Sequence, residues 1–273
     1  MLIISELFIY PIKALGGIPV SSALLTERGF QYDRRWMLVD ANNHFITQRE
    51  FPSLAVLKTS ITKEGLQVMD KYSGNTFTIP FQPQSIDSII VQIWEDACKA
   101  QPVSVQADEW FSEILSFKCR LVFMPDDSQR NVNSNYAYSN EITGFADAYP
   151  FLLIGQSSLD DLNSRLEESL SINRFRPNIV FTGGQPYEED TLAHFTVNDI
   201  NFYGVKLCDR CTVTTIDQET AIKGKEPLKT LAAYRMNNNK VYFGQNLVHD
   251  GAGMIKAGDT IEVKRRKESL SFV

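Results

Sequence analysis

The 273-residue chain has no apolar run approaching the ~20 residues that a membrane-spanning helix needs, so no membrane span is expected. Its N-terminus, MLIISELFIYPIK, lacks the basic region and the small-residue cleavage site of a secretory signal and reads as a strand. Cysteine is scarce, with Cys98, Cys119, Cys208 and Cys211 only. In a chain of this size without a secretory signal, that argues against a disulfide scaffold and for a cytoplasmic protein. Positive charge is also short: 27 Lys and Arg face 33 Asp and Glu, a net charge of −6. General nucleic-acid binding needs the opposite balance to neutralise phosphates. GxGxxG opening a helix, GxxxxGK[ST], HExxH and GxSxG are all missing, and GKEPLKT lacks the upstream glycine of a phosphate loop.

What the chain does have is strand. Hydrophobic residues make up 43% and charged residues 22%, enough apolar side chain for a sizeable core in one large domain or two moderate ones. Short strand-like runs punctuated by turn residues fill the first hundred positions: LIISELFIY, IPVSSALLT, RRWMLVD, HFITQRE, LAVLKTSIT, GLQVMD, TFTIP and SIIVQIWED. RRWMLVD and HFITQRE flank ANN and read as a hairpin. One convincing helix, ADEWFSEILSF, precedes residue 120, with Trp110, Ile114 and Leu115 on one face. Residues 126–148 are polar and aperiodic, a length that marks either a mobile linker or a binding loop. Beyond them, YPFLLIG, RPNIVFT, HFTVNDI, NFYGVKL, CTVTTID, NKVYFGQNLVH and DTIEVK read as strands. QSSLDDLNSRLEESL and KEPLKTLAAYR read as helices, with Pro227 near the start of the second. Strand and helix do not alternate, so a Rossmann sheet is not expected; the pattern is an α+β, β-rich chain of barrel or sandwich type.

The stretch VKLCDRCTVTTID holds Cys208 and Cys211 three positions apart. A structural zinc site needs four ligands, yet there is no second CxxC, and His44, His194 and His249 are singly placed. A thioredoxin-like dithiol belongs at a helix N-terminus, whereas the β-branched TVTTID favours a strand. From this stretch alone, two buried structural thiols and one reactive thiolate both remain open. Three other stretches bear on the choice. Lys13 lies beside two glycines in YPIKALGG, Arg34 and Arg35 open one strand, and Arg174 and Arg176 open another. Each alone reads as a surface charge. Together they are basic groups at strand ends and loops, where anions are bound, and the planar fork of arginine suits phosphate.

YPIKALGGIPV, DRRWMLVD, ADAYPFLLIG, LNSRLE, RFRPNIVF and CDRCTVTTID, in this order, resemble the MOSC family, in the branch with an N-terminal MOSC β-barrel domain. That branch includes the mitochondrial amidoxime-reducing component and its bacterial relatives. The similarity runs from about residue 2 to about residue 264. It implies a MOSC-type β-barrel domain packed on an N-terminal β-barrel-like domain, divided here as residues 1–122 and 123–273. It implies a molybdenum cofactor, Mo-molybdopterin, with the second cysteine of the motif, Cys211, as metal ligand; soft thiolate suits a metal already held by sulfur. By the same resemblance Lys13, Arg34, Arg176 and Asn178 hold the pterin and its phosphate, and Asp147 lies near the metal, where a role in proton delivery is expected. The activity implied is N–O bond reduction of N-hydroxylated compounds. The alternative is a non-catalytic carrier of the cofactor or a sulfur relay through Cys211. The chain departs from relatives at Ala14, where many have a hydroxyl residue, and at Tyr149, where some have a smaller one. It lacks the clustered cysteines of an iron–sulfur centre. Electrons would come from a separate flavin reductase, ferredoxin-like or cytochrome b5-like protein.

Overall fold

The computed structural model describes residues 1–272. Its largest element is a sheet that closes on itself through seven strands. In spatial order they are Phe151–Gly155, Ile179–Thr182, Leu2–Ile9, Thr260–Arg266, Leu192–Val197, Ile200–Asp209 and Lys240–Asp250, the last pairing back to the first. Only Phe151–Gly155 and Ile179–Thr182 run parallel; a parallel pair needs a long crossover, supplied by helix Gln156–Asn163 and the turn Ile172–Arg174. Closure removes free sheet edges, which suits a chain of short, strongly apolar strands. The α+β, β-rich reading therefore holds. The N-terminal strand completes a barrel otherwise built from the C-terminal half: Ile3 faces Thr182 on one side and Thr260 on the other.

The barrel interior is filled by Leu7, Phe151, Leu153, Phe181, Phe195, Phe202 and Leu247, all buried. A second core lies in the N-terminal half, where helix Val105–Leu115 packs against the small sheets. Ser104 caps that helix, its Oγ accepting from the Ala107 N–H at 3.1 Å. Ala107, Phe111 and Leu115 form its buried face, so the apolar stripe is rotated from the expected one: Trp110 and Ile114 are only half-buried at its flank. A four-stranded sheet, ordered Trp36–Val39, Arg120–Phe123, Asp96–Pro102 and Ile89–Ile93, carries this half toward the barrel.

Three expected elements differ. HFITQRE forms isolated bridges at His44 and Phe45 and then turns, because Thr47 and Glu50 hydrogen-bond each other locally. TVTTID is not a strand: Thr212–Thr215 is a single 3-10 turn, with the Thr214 and Thr215 hydroxyls bonding back to the carbonyls of Cys211 and Thr212. Local side-chain bonding of this kind overrides β propensity. Helix Gln156–Asn163 ends before Leu166, where the Asn163 side chain takes the Leu170 N–H and carbonyl. No helix among the described residues is long and apolar enough to cross a membrane.

Candidate functional site

A cleft of about 960 Å³, its solvent-open mouth included, lies where the two halves meet. It is lined by five cations, Lys13, Arg34, Arg49, Arg176 and Arg210, against two acids, Asp147 and Asp209. In an acidic chain this is a strong local reversal of charge. Every candidate site residue, Lys13, Arg34, Asp147, Arg176, Asn178 and Cys211, lines it.

The backbone is bent into unusual shapes to achieve this. Ala14, Arg34 and Arg176 all have left-handed φ values, 70°, 48° and 56°. Non-glycine residues adopt such angles at a cost, and they persist where the surroundings impose them, commonly at functional sites. Tyr10 is one cause: its buried ring lies between the Arg34 and Arg176 guanidinium groups, 4.2 and 4.3 Å from its centroid. Burial pushes the Tyr10 phenol up to about 12, so it stays neutral between them.

The cations are not equivalent. Lys13 Nζ donates to Asp147 Oδ1 at 2.6 Å and to the Phe145 carbonyl at 2.8 Å. Burial lowers the Lys13 pKa, and Asp147 opposes that. Arg34 Nη1 alone spans both oxygens of buried Asp33, at 2.8 and 2.6 Å, and also donates to Asn178 Oδ1 at 3.0 Å. Asn178 is itself engaged: its Nδ2 donates to the Phe8 carbonyl and its Oδ1 accepts the Leu152 N–H. It therefore stitches two barrel strands and aims Arg34. Arg49, Arg176 and Arg210 have no carboxylate partner among the described residues. Arg176 has one long contact, 3.5 Å to Gln218 Oε1, and loss of water lowers its pKa to about 10. Arg210 Nε is buried without any partner. All three side chains are half-buried; charge partly withdrawn from water without a counter-ion is costly, and an anion in the cleft would offset that cost.

The two cysteines sit differently. Cys208 ends the Ile200–Asp209 strand, packs on the core beneath the cleft and accepts from Arg210 Nη1 at 2.9 Å; burial raises its pKa. Cys211 precedes the 3-10 turn, is half-buried, and accepts from Arg49 Nη2 at 3.2 Å. All four cysteines are free, and no group of three His, Cys, Asp or Glu among the described residues could hold a metal by itself. Asp147 projects into the cleft with 69% of its side chain exposed. The cleft walls push its pKa up, but Lys13, Arg49 and the Trp94 indole outweigh them and hold the carboxyl well below the usual range.

Segment 126–148 is fastened to the fold and lends Ala146, Asp147 and Ala148 to the cleft wall, so it is not a mobile linker. Arg130, 4% exposed, fastens it by donating to the carbonyls of Gly144, Ala146 and Asp147. Arg130, Arg49, Trp94, Tyr10 and Arg210 escaped the reading of the sequence. Arg210 lies between the two cysteines, a visible signal; Arg49 was hidden in a run taken for a strand; Tyr10 and Trp94 carried no signal of their own.

Residues 1–118 match the MOSC N-terminal beta barrel domain and residues 140–262 match the MOSC domain. The mitochondrial amidoxime-reducing component 1 of Mus musculus is 31% identical, over 94% of this chain and 81% of that protein. The chain belongs to the MOSC family. The human component 1 is 29% identical to this MOSC protein over 94% of the chain and 82% of its own length. The molybdenum cofactor sulfurase of Oryza sativa subsp. japonica is 29% identical over 88% of this chain, which corresponds to 32% of that much longer protein.

Proposed function

We propose that this MOSC protein is a molybdenum-cofactor-dependent reductase of N-hydroxylated compounds. The observation that carries the reading is the convergence on Cys211 of a cleft with five cations, three of them without carboxylate partners. Relatives named as amidoxime-reducing components and as a molybdenum cofactor sulfurase point to the same cofactor. The donor set fits the group: a soft sulfur on one wall for the metal, and guanidinium forks for a phosphate.

In this reading Cys211 supplies the protein thiolate, Arg176 and Arg34 hold the phosphate with Lys13 beside them, and Asn178 fixes the angle of Arg34. The bound cofactor would supply a two-electron redox couple for cleaving an N–O bond. The balance is N–OH plus two electrons and two protons giving N–H and water. Asp147, held as a carboxylate, would order the water that delivers protons rather than give up one of its own. Tyr149 and Ala14 line the same cleft, so the bulk of one and the missing hydroxyl of the other would shape its entrance and its anion contacts. Electrons would arrive from a separate donor protein of flavin reductase, ferredoxin-like or cytochrome b5-like type. A division into domains at residues 1–122 and 123–273, with the cofactor between them, and a cytoplasmic location belong to the same proposal.

The test is purification from a host that makes molybdopterin, with molybdenum and pterin measured on one sample. Near-stoichiometric amounts of both are expected; an intact fold free of molybdenum would sink the reading. A second reading is favoured by the resemblance to a sulfurase: Cys211 as a sulfur relay, or the protein as a cofactor carrier without turnover. A persulfide on Cys211 in the mass spectrum, with no reduction of N-hydroxylated compounds by loaded protein and a reduced dye, would select it.

A further inference from the structure

Arg49 stands out among the cleft cations because its neighbours fix its position while no carboxylate pairs with it directly; Asp147 acts on it only across a gap. Its guanidinium stacks on Trp94, 4.7 Å from the ring centroid. Trp94 sits at a left-handed turn position, φ 53°, between strands Ile89–Ile93 and Asp96–Pro102. Its carbonyl accepts from Gln92 Nε2 at 2.6 Å, its ring packs edge-on against Phe45 at 4.9 Å, and its Nε1 donates to Asp147 Oδ1 at 3.3 Å. Trp94 is thus braced on three sides and holds Arg49 over the cleft.

The backbone is fixed from the other half of the molecule. Lys223 Nζ donates to the Arg49 carbonyl at 2.8 Å. Gln48 and Gln218 exchange reciprocal amide hydrogen bonds at 3.1 and 3.0 Å. Lys58 and Lys71 both pair with Glu219, at 2.7 and 2.8 Å. The loop so gripped, residues 217–223, follows directly on the turn that Cys211 begins. Arg49 and Cys211 are therefore carried on two segments latched to each other. One guanidinium nitrogen, Nη2, meets Cys211 Sγ at 3.2 Å. Nε and Nη1 make no hydrogen bond among the described residues and Nη2 gives the sulfur one of its two hydrogens, so one complete two-donor edge, the second Nη2 hydrogen with that of Nε or Nη1, remains beside the sulfur.

We propose that Arg49 determines specificity at this site: it receives an oxyanion next to Cys211, and the cleft favours substrates bearing a carboxylate or comparable anionic oxygen close to the reacting N–O group. The inference rests on the reductase reading for the identity of the substrate, but its electrostatic core concerns the protein alone. A planar fork with two free donors binds a carboxylate bidentately, and a site with low-dielectric walls concentrates ligands of opposite charge. Latching the arginine in advance removes the ordering cost that a surface side chain would carry.

The experiment uses unloaded protein and needs no turnover. Cys211 is alkylated with iodoacetate and, in parallel, with iodoacetamide at one pH, so that the thiolate fraction cancels in the ratio of rates. Trypsin cuts after Arg210 and separates Cys208 from Cys211 into different peptides, each quantified by mass spectrometry. Arg49→Ala is expected to lower the iodoacetate-to-iodoacetamide ratio at Cys211 by about tenfold, while Arg49→Lys retains most of it and Arg35→Ala, outside the cleft, leaves it unchanged. A ratio that Arg49→Ala does not move, in protein with a wild-type melting temperature, overturns the proposal. Should Arg49→Ala fail to fold, Arg49→Gln gives the same comparison with a neutral side chain of similar reach. In loaded enzyme, a matched pair of N-hydroxylated substrates, one with a carboxylate and one with a carboxamide, should show the KM preference for the acid lost in Arg49→Ala and kcat less affected; equal preference in both proteins also overturns it. Absence of molybdenum from the wild type would remove the reductase reading and leave the alkylation result standing.

Discussion

Two arginines in this protein, one buried and one half-buried, are handled in opposite ways. Arg235, 4% exposed, donates to Asp190 Oδ2 at 2.6 Å and lies between the rings of Tyr187 and Phe272, at 4.2 and 3.9 Å. Its charge is balanced within the fold. Arg176, in the cleft, has an aromatic neighbour but no carboxylate, and its environment works against its charge. The first arrangement ties Asp190 to the strand Lys240–Asp250; in the function proposed above, the second leaves charge for a ligand. Paired buried charge costs much to break, and unpaired buried charge costs stability as it stands. The same chain thus separates arginines whose charge is balanced within the fold from arginines whose charge is not.

The largest effect should come from the sulfur on the cleft side. Cys211→Ser is expected to abolish reduction of N-hydroxylated compounds with the melting temperature little changed, while Cys208→Ser, a packing neighbour, keeps most of the activity. Equal loss in the two variants would erase the distinction between the thiols. On the self-balanced side, Arg235→Ala strands Asp190 and should cost about 3–5 kcal/mol in denaturant unfolding. A loss below 1 kcal/mol would show the two arginines to be alike.

Beside that pair, Glu189 is wholly buried, accepts from Ser158 Oγ at 2.8 Å and has an unpartnered Oε1. Burial and then Asp190 push its pKa from 4.5 to about 7. A carboxyl with a raised folded-state pKa binds its proton more tightly in the native state. Its ionisation therefore subtracts nothing below pH 4.5, and increasingly destabilises the fold as pH rises toward 7. The shift corresponds to about 3 kcal/mol at pH 8. Glu189→Gln should gain stability over wild type at pH 8 and match it at pH 4.5; unfolding curves at both pH values check this. The smallest stability effect belongs to the cleft. Arg176→Ala should leave the unloaded protein as stable as wild type or slightly more so, and lower retention of the molybdenum cofactor by about ten- to a hundredfold, the loss of one charge-assisted bond worth ~1.5–3 kcal/mol. Metal content after dialysis measures it.

Much of this could be read along the chain. Turn-bounded apolar runs located most strands, because burial alternation and turn chemistry are local properties. The errors have local competitors too: hydroxyl back-bonding coiled Thr212–Thr215, and the Thr47–Glu50 contact diverted the run that carries Arg49. The basic motifs at Lys13, Arg34 and Arg176 were visible as charges at strand ends. Their differing states of pairing were not. Nothing near Lys13 in sequence announces Asp147, 134 positions away, and nothing near Arg176 announces that no acid will reach it.

The sequence by itself determined the β-rich class, the scarcity of cysteine and histidine and the family-bearing motifs around Cys208 and Cys211. Those features follow from composition, periodicity and short-range spacing, which need no knowledge of neighbours in space. Only the tertiary structure decided that the first strand would close a C-terminal barrel, that Arg49, stacked on Trp94, would reach Cys211, and that three arginines would face a cleft without carboxylate partners. Strand pairing and loop docking join residues more than a hundred positions apart, and the charge left unbalanced where they meet is a property of the assembled surface rather than of any one segment.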